Sequence, residues 1–493
     1  MNIQKFLRRD EGNILVMSVV IAALLISTGL GYMKWASSEK WDSEYEKATI
    51  QAYFLAQTGI IERGLEFLRT RQPTDLPQGS VILLPGSVPG VGSYHSVIIQ
   101  RVLSLGAGNV FQRTDTYDVY CTGRAMFRAQ KPISNLQPWR RFTGNKAIVD
   151  RTATMRARLR SFANYMYLTN IEDTRYQEII WFWTPDTLWG RTHSNDFIGL
   201  KYSPQFYGPV STSQERFIYN TPQNIYFAIP PIFNAPPVYF PTTANTIRAA
   251  AAPFISDRGG RMMTWVRLVG DAGIRIYQYP LGSAPQESLV WDQGPPNWQA
   301  LFIDGECEVE GTLTGTLTIG SSGDMWLIDD VKYTGSNPRT GFFGNDTPEE
   351  GGMLNMLGLV SEKNIIIQNN WRNGKENGWY VALNDYNRHS IAINAGMVAL
   401  GESFTFQHQN DDWELYQGTT PDERGYIFLK GAVTQWRRGY VHRSNHIGTG
   451  YGKAYHYDFR FDRRPPPYYL EAVDEHGHGL FDIISWGEQR PKR

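Results

Sequence analysis

The chain has 493 residues, with 48 Lys and Arg against 48 Asp and Glu, and so no formal net charge. That length gives about two or three folding units, and the neutral balance lacks the basic footprint of a nucleic-acid-binding domain, so no nucleic-acid partner is expected. Cys121 and Cys307, its two cysteines, are too few for a disulfide scaffold and cannot build a structural zinc site by themselves. Whether they pair stays open, because bonding cannot be deduced from spacing.

Residues 13–33, NILVMSVVIAALLISTGLGYM, contain no charge. A helix needs about 20 apolar residues to cross a bilayer core of roughly 30 Å, whereas a secretory signal has an apolar region of about 7–15 residues and then a small-residue cleavage site. The nearest such site, Trp35-Ala36-Ser37-Ser38, is poor, so a retained anchor is favoured over a cleaved signal or a buried soluble helix. Lys5, Arg8 and Arg9 precede the span, while Glu39, Asp42, Glu44 and Glu46 follow it. Positive flanks stay cytoplasmic, which exports everything after Met33.

All 27 prolines lie at or beyond Pro73, so the strongest helix breaker is missing from residues 1–72. Trp41, Tyr45, Ala48, Ala52 and Leu55 recur at helical spacing. One long helix over about 12–70 is expected, apolar all round over 13–33 and amphipathic over 34–72. From 73 to 160 the pattern turns to strands with Gly/Pro turns. There RTATMRARLR alternates strictly, placing Arg156, Arg158 and Arg160 on one face. That row is a candidate polyanion site or simply a solvated strand face.

Residues 161–470 form a large body of short apolar strands ended by Gly, Asn, Asp or Ser. EGTLTGTLTIGSSGDMWLIDDVKYTG is the clearest, with Thr312, Thr314, Thr316 and Thr318 on one side and Leu313, Gly315, Leu317 and Ile319 on the other. The fold class expected is mainly β with a long N-terminal helix. The exported body reads as a right-handed parallel β-helix, or solenoid, with a β-sandwich as the alternative. RRPPPYYLE reads as an extended polyproline run, and 471–493 as a C-terminal tail with a frayed end.

The N-terminus resembles a type IV pilin or pseudopilin: a basic leader over 1–12, the pair Glu11-Gly12, a long apolar helix and an amphipathic continuation. It is most similar to PilX-type minor pilins, whose A-x-x-A-E-x-G pattern is matched by Ala52, Ala56, Gly59 and Glu62, with Gln57 in the usual Glu position. The body, through HSNDFIGL, GLVSEKNIII, VALGESFTF, GAVTQWRRGYV and GYGKAYHYDFRF, looks similar to an uncharacterised domain of such bacterial proteins. The resemblance implies cleavage by a prepilin peptidase between Gly12 and Asn13. It implies insertion in the inner membrane with a periplasmic body, and assembly with other pilin or pseudopilin subunits into a filament. Major pilins carry a glutamate at the fifth mature position; here that residue is Met17. Ala22, Gly29 and Gly31 are the candidate close-packing positions, since small residues let membrane helices approach.

Three other chemistries compete. His193, Ser194 and Asp196 stand within one tetrapeptide, too close to form the nucleophile–base–orienter geometry; a turn explains them better. His442 with His446, His476 with His478, and the acidic loops at 344–350 and 409–414 are weak candidates for metal or calcium. Asp329-Asp330 and Asp411-Asp412 would be the acids of a polysaccharide-degrading β-helix, and Trp326 and Trp413 beside them are candidate contacts to a surface glycan or polysaccharide. The reading expected first is a filament component with no enzymatic activity and no cofactor. A membrane-anchored glycan-binding or adhesive protein is second, and the enzyme third.

Overall fold

In the computed structural model the N-terminal helix runs from Gln4 to Gly59. It continues through a wide π turn, Ile60–Leu65, into Glu66–Arg69. The structure describes residues 4–102, 104–105, 111–112, 116–129, 145–174, 177–297, 299–344, 352–370, 373, 390–407, 423–443 and 449–489. The protein is mainly β, with this one long helix.

The second half of the helix lies on an antiparallel sheet, the head. Thr116–Ala129 is its central strand, paired with Asn145–Leu159 on one side and with Val97–Arg101 and Gly92–Tyr94 on the other. Ala56, Ile60, Leu65 and Leu68 pack on Tyr94, Val97, Ile99, Val119, Cys121, Ala153 and Met155. Contact is close because both surfaces are small there. A Cβ at Gly123 would stand 2.0 Å from the Ala52 carbonyl oxygen, and one at Gly59 would stand 2.6 Å from Cys121 Sγ. The Ala52, Ala56 and Gly59 pattern is thus the seat of the helix on its own sheet.

Phe481–Gln489 pairs antiparallel with Asn145–Leu159. The segment expected as a tail therefore supplies a strand of the head, and Glu488 and Gln489 are held in it. Residues 161–479 are inserted between two neighbouring head strands. The chain crosses from head to body twice at one place: Arg160 N donates to Leu480 O, Phe162 N to Leu470 O, and Ala472 N to Arg160 O.

Strands of the body pair mostly in parallel, unlike the antiparallel sheets of the expected alternative, a sandwich. One ladder runs through Phe254–Ser256, Gln299–Asp304, Thr316–Ser321, Met356–Ser361, Gly396–Ala399 and the later half of Glu423–Arg437. It then passes to Tyr167–Ile171, Thr192–Ser194 and Val210–Thr212. A second ladder takes Met262–Gly270, Cys307–Leu313, Met325–Tyr333, Ile365–Ile367 and Phe404–Phe406. Glu423–Arg437 also joins that sheet, through Ile391–Ile393 and Thr449–Tyr457. Apolar residues in register fill the space inside: Leu301, Ile319, Leu359, Met397, Val433 and Tyr167 stand in one column. The strands next to the entry point thus lie mid-ladder, with the stack growing away from the head junction on both sides.

Three sequence expectations change. The threonine alternation at 312–319 is two strands, one in each ladder, turning at Gly315, whose φ is 103° and whose Cβ would stand 1.8 Å from Pro296 O. Thr318 and Ile319 are both fully buried, because a strap covers the outer face. That strap is RRPPPYYLE. It is not a regular polyproline run, since Tyr468 has a φ of 56°; its Tyr469 ring lies against Gly358, where a Cβ would approach it to 2.8 Å. Finally, Cys121 lies in the head core and Cys307 in the body core, and both are free thiols. Burial pushes each thiol up to about 12.

Candidate functional site

Two surfaces stand out, and the first is the apolar half of the helix. Every residue from Ile14 to Trp35 is exposed, and the segment is long and apolar enough to cross a membrane, which suits an anchor. Its few hydroxyls turn inward: Ser18 donates to Leu15 O at 2.8 Å, and Thr28 to Leu24 O at 2.8 Å. Such bonds satisfy these serine and threonine donors without water. A Cβ at Gly29 or Gly31 would touch nothing within this chain, and Ala22 is exposed. These three positions are open for an outside helix. Gly12 and Asn13 lie within the same helix, as does Met17.

The second surface is a cleft of about 480 Å³ in the body, where the segment that follows the entry point meets the strands that precede the exit. Trp181, Trp183, Tyr440 and His442 line its walls, with the Trp183 and His442 rings stacked at 6.2 Å. Its floor is charged and internally paired. Arg438 Nη1 donates to Glu172 at 2.8 Å, with both side chains nearly inaccessible, and Lys453 Nζ donates to both Asp186 oxygens at 3.1 Å. Burial holds the Lys453 ammonium below the ordinary lysine range, against the opposing pull of Asp186. Sequence reading missed this cleft. Its parts lie more than 250 residues apart, and none of them forms a local motif.

The residues singled out from sequence fall elsewhere. His193 Nδ1 contacts Ser211 Oγ at 2.8 Å and Nε2 contacts Asn195 Oδ1 at 3.0 Å. Ser194 Oγ instead accepts from Thr169 and from Asp196 N; His193 and Ser194 are strand residues of Thr192–Ser194, and Asp196 lies at the bend that ends it. Asp330 is tied to Lys332 at 2.8 Å and accepts from Ala392 N, while Asp329 accepts from Asp330 N; these are structural bonds at a corner. Trp326 is half-buried, and its indole N–H donates to Glu306 at 3.0 Å. It packs on a cluster with Trp265 and Tyr277 and presents no open platform. Trp413, Asp411, Asp412, His446 and the acidic loops at 345–350 and 409–414 lie outside the described residues. Among the described residues no group of three or more His, Cys, Asp and Glu side chains could hold a metal ion.

The arginine row is also accounted for. Arg156 makes a bidentate pair with Asp118, and Arg160 and Arg191 share Asp482. Burial lowers the Arg158 guanidinium, with Asp462 and Asp482 opposing. Arg156 and Arg160 are already paired by carboxylates of this chain, and Arg158 is half-buried near Asp462 and Asp482, so the row is not an open polyanion site. Arg160, Arg191 and Asp482 instead clasp the two crossings from head to body.

No family model and no curated protein matches this chain. The crystal structure of the competence-associated pilin ComZ from Thermus thermophilus is similar to it at 9% sequence identity, covering 90% of this chain and 97% of that one. The TM-score is 0.29, too low to equate the two folds.

Proposed function

We propose that this chain is a pilin-like subunit of a type IV pilus or pseudopilus-like filament, of the PilX-type minor class, with the inserted body carried outside as cargo. The observation that supports it is a single helix that is fully exposed and apolar over 14–33 and then seated on an antiparallel sheet from Ala48 onward. In a bilayer such a helix satisfies its own backbone. On assembly, the open positions at Ala22, Gly29 and Gly31 exchange lipid contacts for helix contacts. We read the body as a right-handed parallel β-helix, supported by the register columns of its two ladders and by the handedness rule for parallel crossovers. The body is non-catalytic in this reading; the ties on Asp329 and Asp330 support that.

The leader is then cut by a prepilin peptidase after Gly12, with the N-terminus cytoplasmic and the body periplasmic or extracellular. N-terminal sequencing of protein taken from native membranes tests this. A chain starting at Asn13 is expected, and Gly12→Asp should abolish the cut. A membrane-held chain that still starts at Met1 sinks the processing step.

A further inference from the structure

We infer that the cleft between Trp181–Asp186 and Arg438–Lys453 is a binding site for a neutral oligosaccharide. Three observations carry this independently of any filament role.

The first is the character of the walls. Trp181 and Trp183 offer flat apolar faces beside Tyr440 and His442, and sugar C–H faces stack on such rings while hydroxyls reach past them. Among the described residues the indole N–H groups of Trp181 and Trp183 have no protein acceptor, although neither side chain is sealed from solvent. Lys453 makes its polar contacts to Asp186 alone, and an ammonium carries three donors. Glu178 at the rim accepts from Tyr440 at 2.6 Å and has acceptor capacity left. Donors and acceptors are therefore both present in an aromatic slot, which is what hydroxyl groups, each both donor and acceptor, require. The cleft volume lies within the range of about 300–1,000 Å³ usual for ligand sites.

Charge is the second observation. Arg438, Lys453 and Lys201 line the site with Glu178 and Asp186, and Glu172 stands directly behind Arg438. The formal charges cancel, and the two buried cations are already paired. A polyanion would find no unanswered positive field here, which selects a neutral sugar over a uronic-acid or sulfated one.

The third observation is a continuation. Trp189 follows Leu188 of the cleft lining, and it stacks on Tyr207 at 4.1 Å with a 7° tilt; Tyr207 then meets Tyr226 at 5.2 Å. Trp189 and Tyr226 are exposed by 43% and 47%. Thr187–Leu188, Gln205–Phe206 and Tyr226–Phe227 are successive parallel strands, so the row crosses three coils on one outer face. The row starts one residue along the chain from the cleft lining, on the outer side of the wall that Leu188 faces inward from, and is a second aromatic strip for a sugar chain that extends past the cleft.

The test is calorimetric titration of the full chain in detergent with neutral oligosaccharides of four to six units built on glucose, galactose, mannose or N-acetylglucosamine, with uronic-acid oligomers run alongside. At least one neutral series should bind, and Trp183→Ala should weaken it by about tenfold or more, the loss of one good aromatic contact. Trp189→Ala, at an exposed position that folding tolerates, should weaken the six-unit ligand and spare the shortest one. Unchanged melting temperatures would show that both variants fold. Absence of binding across the neutral series, unchanged affinity in Trp183→Ala, or tighter binding of the uronic-acid oligomers would overturn the inference. None of these outcomes touches the processing experiment at Gly12.

Discussion

At the residue scale, glycine and histidine positions decide most. Gly123 admits the helix backbone: its added Cβ would stand 2.0 Å from Ala52 O and 2.5 Å from Ala56 N. Gly123→Ala must lift the helix from the sheet and should cost on the order of 1–3 kcal/mol, read as a lower denaturation midpoint of the head. His193 sets a pH dependence. Asn195 Nδ2 donates to Asn170 Oδ1 and Val238 O, which aims Asn195 Oδ1 at the ring, so Nε2 carries the proton and Nδ1 accepts from Ser211. Burial pushes His193 down to about 4, with Arg160 and Arg191 adding to it and the Asn195 bond opposing. The unfolded chain then binds a proton below its ordinary value near 6.5 while the folded chain does not. Stability is full above that value and falls as pH drops toward 4, by about 3 kcal/mol at most. Melting curves between pH 7 and 4 should show this slope, and His193→Gln should flatten it. The sequence could name the turn that follows His193 but not what holds its ring, because Ser211, and Asn170 behind Asn195, sit on neighbouring strands.

At the element scale, the legible parts were those with local period. The helix over 12–70 followed from missing prolines and a helical stripe. The strict alternation at 152–160 placed Ala153, Met155, Ala157 and Leu159 inward, and they are buried. What stayed hidden depends on distant pairing. Among the described residues the strand Phe481–Gln489 pairs with Asn145–Leu159 alone, and nothing near it in sequence signals a sheet. The strap at 463–471 looked extended because of its prolines, yet its role is to cover a ladder. Tyr469 is buried there, and its hydroxyl has no hydrogen-bond partner among the described residues. Tyr469→Ala should therefore destabilise by about 3–5 kcal/mol through the cavity it leaves. Tyr469→Phe should be neutral or mildly stabilising, since it removes an unanswered buried hydroxyl. Denaturant midpoints of the two variants separate packing from polarity.

At the scale of the whole molecule, the body is an insertion. Arg160 N donates to Leu480 O at 2.7 Å, so the head closes across the junction without help from residues 161–479. Joining Arg160 to Leu480 by a short Asn-Gly turn should leave a folded helix-and-sheet head, detected by amide-exchange protection of Val119, Cys121 and Met155. Loss of that protection would show that the body is needed to fold the head. The same neck also governs how the molecule bears tension. If the helix is held at one end and the body at the other, the pull divides between two covalent crossings clasped by Asp482 between Arg160 and Arg191. It enters the head along Asn145–Leu159 and Phe481–Gln489 from the same end. Ladder bonds lie perpendicular to their strands, so this load shears many of them at once and does not unzip them singly. Each free flank of the body stays outside the line of force, and a ligand held there would be dragged by a unit that is not itself being stretched.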